Sequence, residues 1–237
     1  VIDVGEERRG QPTSRVLFGN AASVFAGDWL LIHALRLVRK AEVDGLLDRL
    51  LATIDEMIEA ESVQLERRGR LDVDRKAYFH IIEGKTASLF RWAMVAGGRS
   101  GGLSWGQCED LARYGNHLGM AFQIVDDALD FAESGTGKGP LADLEEGKMT
   151  YPLIVAMERD ATLRPIIETA LHAGTASNPD VSEAVRECLR RTEAIEASLE
   201  LAQRHADDAR AALGSIDASE AKQGLELVAE VAVRRPT

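Results

Sequence analysis

Helical periodicity is the feature of this sequence that most limits its fold. From Asn20 onward apolar residues recur three or four positions apart, as in Leu46, Leu50 and Ile54, and no stretch alternates as a half-buried strand does. Glycines near residues 97–102 and 135–139 and a proline at 152 separate the segments. The pattern predicts an all-α protein with helices over 20–40, 42–67, 72 or 74 to 96, 105–133, 152–160, 162–173, 180–212 and 217–233. The first helix should be buried, and residues 3–19 should form a loop. Whether the helix over 180–212 is broken is left open.

Composition and charge exclude several classes of protein. A length of 237 residues suits one large domain as readily as two small ones. The net charge of -11, with no basic stripe, argues against nucleic-acid binding. Cys108 and Cys188 lie far apart without a CxxC partner, which indicates two packing thiols in a reducing compartment. The longest apolar stretch, 21–38, contains Asp28, His33 and Arg36 and so is a poor membrane span. We therefore expect a cytoplasmic protein without a membrane span.

Three aspartates share one side of the fourth predicted helix. At about 100° per residue, Asp126, Asp127 and Asp130 fall with Gln123 within roughly a third of the circumference. No Lys or Arg occurs between residues 114 and 137 to offset their repulsion, and the last turns of a helix already disfavour negative charge. A solvated acidic face is the ordinary interpretation of such a strip. The double electrostatic cost favours a bound cation, and hard carboxylate oxygens suit Mg²⁺.

Lys85 lies in the middle of an apolar helix face. Its neighbours on the helical wheel include Tyr78, Ile81 and Leu89, and a charge there is costly unless it is paired. The side chain could reach solvent along the helix surface, but this works best near helix ends. A cavity that holds an anion explains the position better.

Further cations stand in the predicted loops. Arg8 and Arg9 precede a glycine, Lys138 follows the aspartate helix, and Lys148 comes ten residues later. Each alone is most often a surface charge. Because arginine binds phosphate through a planar fork, the cations and the carboxylate strip together indicate metal-bridged diphosphate chemistry.

Four ordered blocks give the sequence a family resemblance. It resembles the trans-prenyl diphosphate (polyprenyl) synthases, and among them the bacterial long-chain members. The resemblance runs from Asp3 to about Leu153 and more weakly to the C terminus. The blocks are residues 1–28 with the Arg8-Arg9-Gly10 sequence, 84–90 with Gly84-Lys85-Thr86, 119–130 with Asp126-Asp127 and Asp130, and 137–153 with Gly137-Lys138 and Gly147-Lys148.

The resemblance implies a fold and a reaction. The fold would be a single-domain orthogonal helical bundle around a central cavity, the isoprenoid synthase fold, spanning residues 1–237. The reaction would be a Mg²⁺-dependent head-to-tail (1'-4) condensation of an allylic prenyl diphosphate with isopentenyl diphosphate. The product would be a longer trans-polyprenyl diphosphate, and the enzyme a homodimer.

The resemblance also assigns roles to individual residues. Asp126, Asp127 and Asp130 match the second aspartate-rich motif that binds Mg²⁺, and Asp3 the last aspartate of the first. Arg8 matches a contact to the allylic diphosphate and Arg9 one to isopentenyl diphosphate. Lys85, Thr86 and Gln123 match residues at the allylic diphosphate and the developing cation. Lys138 and Lys148 match further diphosphate lysines. Glu59, Glu61 and Gln64 match polar positions facing the cavity and Asp28 lies in a matching block, all without an assigned role.

The sequence departs from the family pattern at its start. The family has two more aspartates immediately before the position of Val1 and, upstream, a basic segment that holds isopentenyl diphosphate. We therefore expect an N-terminally incomplete domain, the alternative being a natural short homologue.

Two other functions stay open: a truncated or non-catalytic partner subunit of a prenyl synthase, and a class I terpene cyclase. The Lys85-Thr86 and Arg8-Arg9 blocks argue against the cyclase, because they serve a second diphosphate. Product length and the preferred allylic substrate are not predicted.

Overall fold

The protein is helical through nearly all of the chain that the structure describes. The computed structural model describes residues 5–8, 10–131, 141–175 and 178–234, without the side chain of Arg8. A short hairpin, β1 (Glu7–Arg8) and β2 (Gln11–Pro12), precedes the helices. The helices are α1 (Ser14–Lys40), α2 (Leu46–Glu66), α3 (Arg75–Ile82), α4 (Ser88–Ser100), α5 (Trp105–Leu129), α6 (Ala142–Glu145), α7 (Tyr151–Arg159), α8 (Leu163–Ala173), α9 (Pro179–Arg191), α10 (Ala194–Ala212) and α11 (Glu220–Val233). The predicted all-α fold is confirmed, and the two short strands lie where a loop was expected.

Helix α5 runs through the centre of the bundle. It begins at a capping box, in which the Ser104 side chain accepts from the Gln107 N–H while the Gln107 side chain accepts from the Ser104 N–H. Its apolar residues are buried on nearly every side, with Tyr114 and Ile124 fully enclosed. Helix α10 packs along it through small residues, among them Ala202, Ala206 and Ala209. A helix surrounded in this way holds its polar side chains in fixed positions.

The third predicted helix is interrupted by a wide turn. Asp74 caps α3 by accepting from the Ala77 N–H at 2.8 Å, but the segment Glu83–Ala87 is π-helical before α4 continues. Such single-turn insertions occur often at functional sites. The backbone is wedged there, since a Cβ on Gly84 would lie 2.7 Å from the Ala60 Cβ and one on Gly119 would lie 2.5 Å from the Ala87 Cα. Lys85 and Thr86 therefore project from a turn fixed between α2 and α5.

Helix α1 contradicts the prediction of a buried first helix. It has 27 residues, none of them buried, and Phe18, Phe25, Trp29 and Leu30 are each at least 59% exposed. Periodicity identified an apolar helix, but it carries no information on what covers that helix. By length and composition α1 could cross a membrane, and it is the one helix of the described chain for which this holds. Asp28 near its middle makes such a placement costly.

The C-terminal helices complete the bundle. The region predicted as 180–212 is broken between α9 and α10, where Glu193 adopts a left-handed backbone with φ 49°. Helix α11 packs on α5 and α10, and the Tyr114 hydroxyl donates to the Leu225 carbonyl at 2.7 Å. These helices enclose α5 from the side opposite the aspartates.

Candidate active site

One cavity brings together most of the described residues that the sequence singled out. It has a volume of about 360 Å³ and lies between α2, the π-helical turn, α5 and the loop before α7. Its lining comprises Gln64, Arg67, Val73, Tyr78, Ile81, Ile82, Lys85, Thr86, Gln123, Asp126, Asp127, Asp130, Asp143, Gly147, Lys148, Met149 and Thr150. Carboxylates, amides and cations from elements far apart in sequence therefore face one space.

The three aspartates of α5 differ in their surroundings. Asp126 is exposed, whereas Asp127 is only 5% and Asp130 only 9% exposed. Asp127 accepts from the Tyr78 hydroxyl and from the Gln123 amide, each at 2.7 Å. Burial, followed by the charge of Asp143, raises the pKa of Asp127 to about 7, against the lowering effect of its two hydrogen bonds. The strip therefore carries negative charge that the described side chains only partly compensate.

A hydrogen-bonded chain links the strip to the π-helical turn. The Thr86 hydroxyl donates to the Gln123 Oε1 at 2.9 Å, while the Gln123 Nε2 donates to Asp127. Because its amide nitrogen is taken by a carboxylate, the orientation of the Gln123 amide is determined, and its oxygen lies on the Thr86 side. Burial raises the pKa of Tyr78 well above its usual range, so its hydroxyl stays protonated and donates.

Lys85 also lines the cavity, and its charge is paired. Its Nζ contacts Glu61 Oε2 and Gln64 Oε1, each at 2.6 Å. An ammonium group has three N–H donors, so one is left for the cavity after these two contacts. This explains how an apolar helix face tolerates the charge, and it gives Glu61 and Gln64, which the sequence left without a role, a place beside Lys85.

The third wall comes from α6 and the loop that follows it. Lys148 pairs with Glu146 and has its Nζ 3.5 Å from Asp143 Oδ1. The Asp143 backbone N–H donates to Asp130 Oδ2 at 3.1 Å, which ties this wall to the end of α5. Lys148 and the carboxylate strip thus line the same cavity.

Four predicted site residues receive no side-chain placement. Asp3, Arg9 and Lys138 lie outside the described residues, and only the backbone of Arg8 is described, within β1. Their assigned roles stay predictions.

The structure adds site residues that the sequence analysis missed. The sequence analysis placed Tyr78 among the apolar neighbours of Lys85, yet its hydroxyl orients Asp127. The signal that could have found this role is general: a buried tyrosine hydroxyl needs a polar partner. Asp143 and Arg67 also line the cavity. Thr150 adds a buried hydroxyl, 5% exposed as a residue, without a hydrogen-bond partner among the described residues.

The donor set fits Mg²⁺ better than a softer metal. The strip presents carboxylate oxygens, and neither cysteine lines the cavity. No three His, Cys, Asp or Glu side chains within the described ranges converge on a ready-made metal cluster. Mg²⁺ is usually bound through one or two carboxylates, while substrate phosphates and water supply its other ligands.

Comparison with known proteins decides the family. Residues 1–188 match the family model described as Polyprenyl synthetase. The chain belongs to the polyprenyl synthetase family. It is 32% identical over 238 residues to the octaprenyl diphosphate synthase of Escherichia coli strain K12, covering 99% of this chain and 73% of that one. It is also 32% identical over 241 residues to a short chain isoprenyl diphosphate synthase of Methanothermobacter thermautotrophicus, covering 99% and 74%.

Solved structures agree with this assignment. A polyprenyl synthase from Caulobacter crescentus CB15, complexed with calcium and isoprenyl diphosphate, superimposes with a TM-score of 0.92 at 34% identity, covering 99% of this chain and 72% of that one. A decaprenyl diphosphate synthase from Rhodobacter capsulatus gives a TM-score of 0.90 at 32% identity, covering 98% and 72%. The isoprenoid synthase fold and the prenyltransferase class predicted from sequence are thereby confirmed. The two relatives that are each 32% identical to this chain are named as an octaprenyl and a short chain synthase. Sequence similarity alone therefore does not determine the product length.

Proposed function

We propose that this polyprenyl synthetase condenses an allylic prenyl diphosphate with isopentenyl diphosphate head to tail (1'-4), with Mg²⁺ as cofactor. The products would be a longer trans-polyprenyl diphosphate and inorganic diphosphate. One observation carries the proposal: the aspartate strip, Lys85 and Lys148 all line a single cavity. That arrangement suits a metal-bound diphosphate, whose negative charge needs both kinds of partner.

The metal would be held by the carboxylates at the end of α5. Asp126, exposed to the cavity, and Asp130 are the proposed main ligands, together with Asp127 and with Asp3 from the first motif. When bound, Mg²⁺ would neutralise the leaving diphosphate as a Lewis acid. The Tyr78 and Gln123 hydrogen bonds hold Asp127 in place, which is the usual function of groups that surround a metal ligand.

Cations would stabilise the negative charge that develops on the leaving group. As the allylic C–O bond breaks, the electron pair goes to the diphosphate, and Lys85 has one N–H left to donate to it. Lys148 faces the same space. Arg8 and Lys138 are proposed for the allylic diphosphate and Arg9 for isopentenyl diphosphate, on the family pattern.

The other half of the reaction makes the carbon–carbon bond. The double bond of isopentenyl diphosphate would attack the allylic cation, and a proton would then leave to the released diphosphate. The oxygen of the Gln123 amide, the Thr86 hydroxyl and the Lys85 carbonyl are proposed to face the cation. The hydrogen-bonded chain through Asp127 keeps the amide from turning its nitrogen toward positive charge.

Three further parts of the proposal concern the whole protein. We propose one catalytic domain over residues 1–237, a homodimer and a cytoplasmic location. Helix α1 is apolar and has no buried residue, which supports assembly, because an exposed apolar surface of this length is typical of an interface. The confirmed fold supports a single bundle around one cavity.

The test is elongation by the purified chain. It would be incubated with farnesyl diphosphate, labelled isopentenyl diphosphate and Mg²⁺, and labelled prenyl product would be extracted and sized. We expect Asp126→Ala to lower the rate by about 10³-fold, since it removes a proposed metal ligand. Asp55→Ala, an exposed carboxylate on α2, is the matched control and should keep the wild-type rate. No product from a chain that binds both substrates would favour the non-catalytic partner subunit instead.

A further inference from the structure

The start of α7 carries a polar group that the folded chain does not use. Thr150 precedes the helix with extended backbone angles, φ -89° and ψ 163°, as an N-cap residue does. N-cap hydroxyls usually accept from a backbone N–H in the first turn, but the Thr150 side chain makes no such bond. Its Oγ1 is buried and lacks a partner anywhere in the described structure. A buried hydroxyl left unpaired costs folding free energy, so the side chain is a candidate for a function.

The position of Thr150 indicates what the hydroxyl serves. The residue lines the cavity that holds the aspartate strip, and it lies two positions after Lys148. It is 95% buried, being only 5% exposed, so bulk water does not satisfy it. Helix α7 spans nine residues, and its N terminus adds the positive end of the helix dipole and the N–H groups of a first turn in which Pro152 has none. These features together favour an anion with oxygen acceptors.

We propose that the Thr150 hydroxyl and the N terminus of α7 form a subsite for a phosphate oxygen of a diphosphate substrate. This rests on the proposed function of the cavity and adds to it a contact that the family resemblance did not assign. The hydroxyl is enclosed in the ligand-free chain, so it turns about χ1 into the cavity to donate to the phosphate oxygen. Lys148 neutralises the same group from the neighbouring loop. The ligand thus supplies the partner that the free chain lacks.

This subsite predicts two effects of opposite sign for one variant. Thr150→Val keeps the side-chain shape and removes the hydroxyl. The ligand-free chain should become more stable, with the melting temperature about 2–4 °C higher, because a buried unpaired group is lost. The Kd for inorganic diphosphate should rise about 10- to 100-fold, because a hydrogen bond to a charged group is lost. A merely structural threonine would lower the melting temperature and leave the Kd unchanged.

The matched control is a threonine whose hydroxyl is satisfied. Thr192 is 8% exposed, and its Oγ1 donates to the Cys188 carbonyl at 2.7 Å, outside the cavity lining. Thr192→Val should therefore lower the melting temperature and bind diphosphate as the wild type does. Thr150→Ser, unlike Thr150→Val, keeps a hydroxyl, so its Kd for diphosphate should stay within about threefold of the wild-type value.

Calorimetric titration of inorganic diphosphate at saturating Mg²⁺ measures the Kd, and thermal unfolding of the ligand-free chain measures stability. Repeating the titration with isopentenyl diphosphate and with a non-hydrolysable farnesyl diphosphate analogue shows which substrate uses the subsite. An unchanged Kd for Thr150→Val, or a loss of stability like that of Thr192→Val, overturns the inference while the proposed function stands. A wild-type chain that binds no diphosphate at all overturns both.

Discussion

Helices α1 and α5 are similar in length and opposite in environment. They contain 27 and 25 residues, and both are largely apolar. Thirteen residues of α5 are buried, whereas none of α1 is. The helix with the larger buried surface is also the one that carries three carboxylates at its end. Burial by surrounding helices is thus what fixes the functional side chains, and apolar character alone does not identify the helix that does so.

The difference also separates two uses of apolar surface. In α5 it stabilises the isolated chain, at about 25 cal/mol per Å² buried. The apolar side chains of α1 contribute little to stability until another surface covers them. We propose that a second copy of the chain supplies that surface. Mutations in the two helices should therefore affect different equilibria.

The largest expected effect comes from the core of α5. Ile124→Ala removes a side chain that is fully buried in the main hydrophobic cluster. We expect it to lower the free energy of unfolding by about 2–5 kcal/mol, through lost burial and the cavity left behind. Urea denaturation followed by circular dichroism measures this. A change below about 0.5 kcal/mol, the size usual at surfaces, would show that α5 is not the core of the molecule in solution.

A smaller effect should appear in the pH dependence of the metal-free chain. Burial raises the pKa of Asp127 from its ordinary value of 3.8 to about 7 in the folded state, so between these values the folded chain holds the proton more tightly than the unfolded one. The free energy of unfolding should therefore fall as pH rises from about 4 to 7, by no more than about 4 kcal/mol. Asp127→Asn should flatten this part of the profile in EDTA. A wild-type profile equally flat across that window would contradict the assigned environment of α5.

The smallest effect is expected on α1. Leu30 is 61% exposed, so Leu30→Ala should change the unfolding free energy of the monomeric chain by no more than about 0.5 kcal/mol. The measurement is repeated at several protein concentrations, with the molar mass determined by light scattering. A cost that grows with protein concentration would support the proposed homodimer joined through α1. A cost near that of Ile124→Ala in the monomer itself would remove the contrast between the two helices.

Much of the fold could be predicted from sequence, because helices α2, α5, α8 and α11 have clear apolar periodicity and a proline marks the start of α7. The burial of α1 was predicted wrongly, because periodicity reports that a face is apolar and not what lies against it. The π-helical turn at 83–87 was missed as well, since it depends on the close approach of Ala60 and Ala87 to glycines of other helices.

The site was predictable as a set of residue types and less so as a set of contacts. The aspartate strip follows from the helical repeat, and Lys85 stood out as a charge on an apolar face. Its pairing with Glu61 and the bond from Tyr78 to Asp127, which joins residues 49 positions apart, depend on how the helices pack. The unpaired Thr150 hydroxyl has no sequence signal of its own, because threonine is common before helices.

The contact between Gly119 and Ala87 has a consequence for altering the enzyme. Gly119 meets the backbone and the Cβ of Ala87 there, and none of these atoms moves with a rotamer. No change of rotamer can therefore widen the gap between α5 and the turn that carries Thr86. Attempts to enlarge the cavity by directed evolution should therefore succeed on the other walls, and any Gly119 variant should be recovered only with a compensating change in the turn. The junction between α5 and the π-helical turn is in this sense a part of the molecule that selection for new chain lengths must work around.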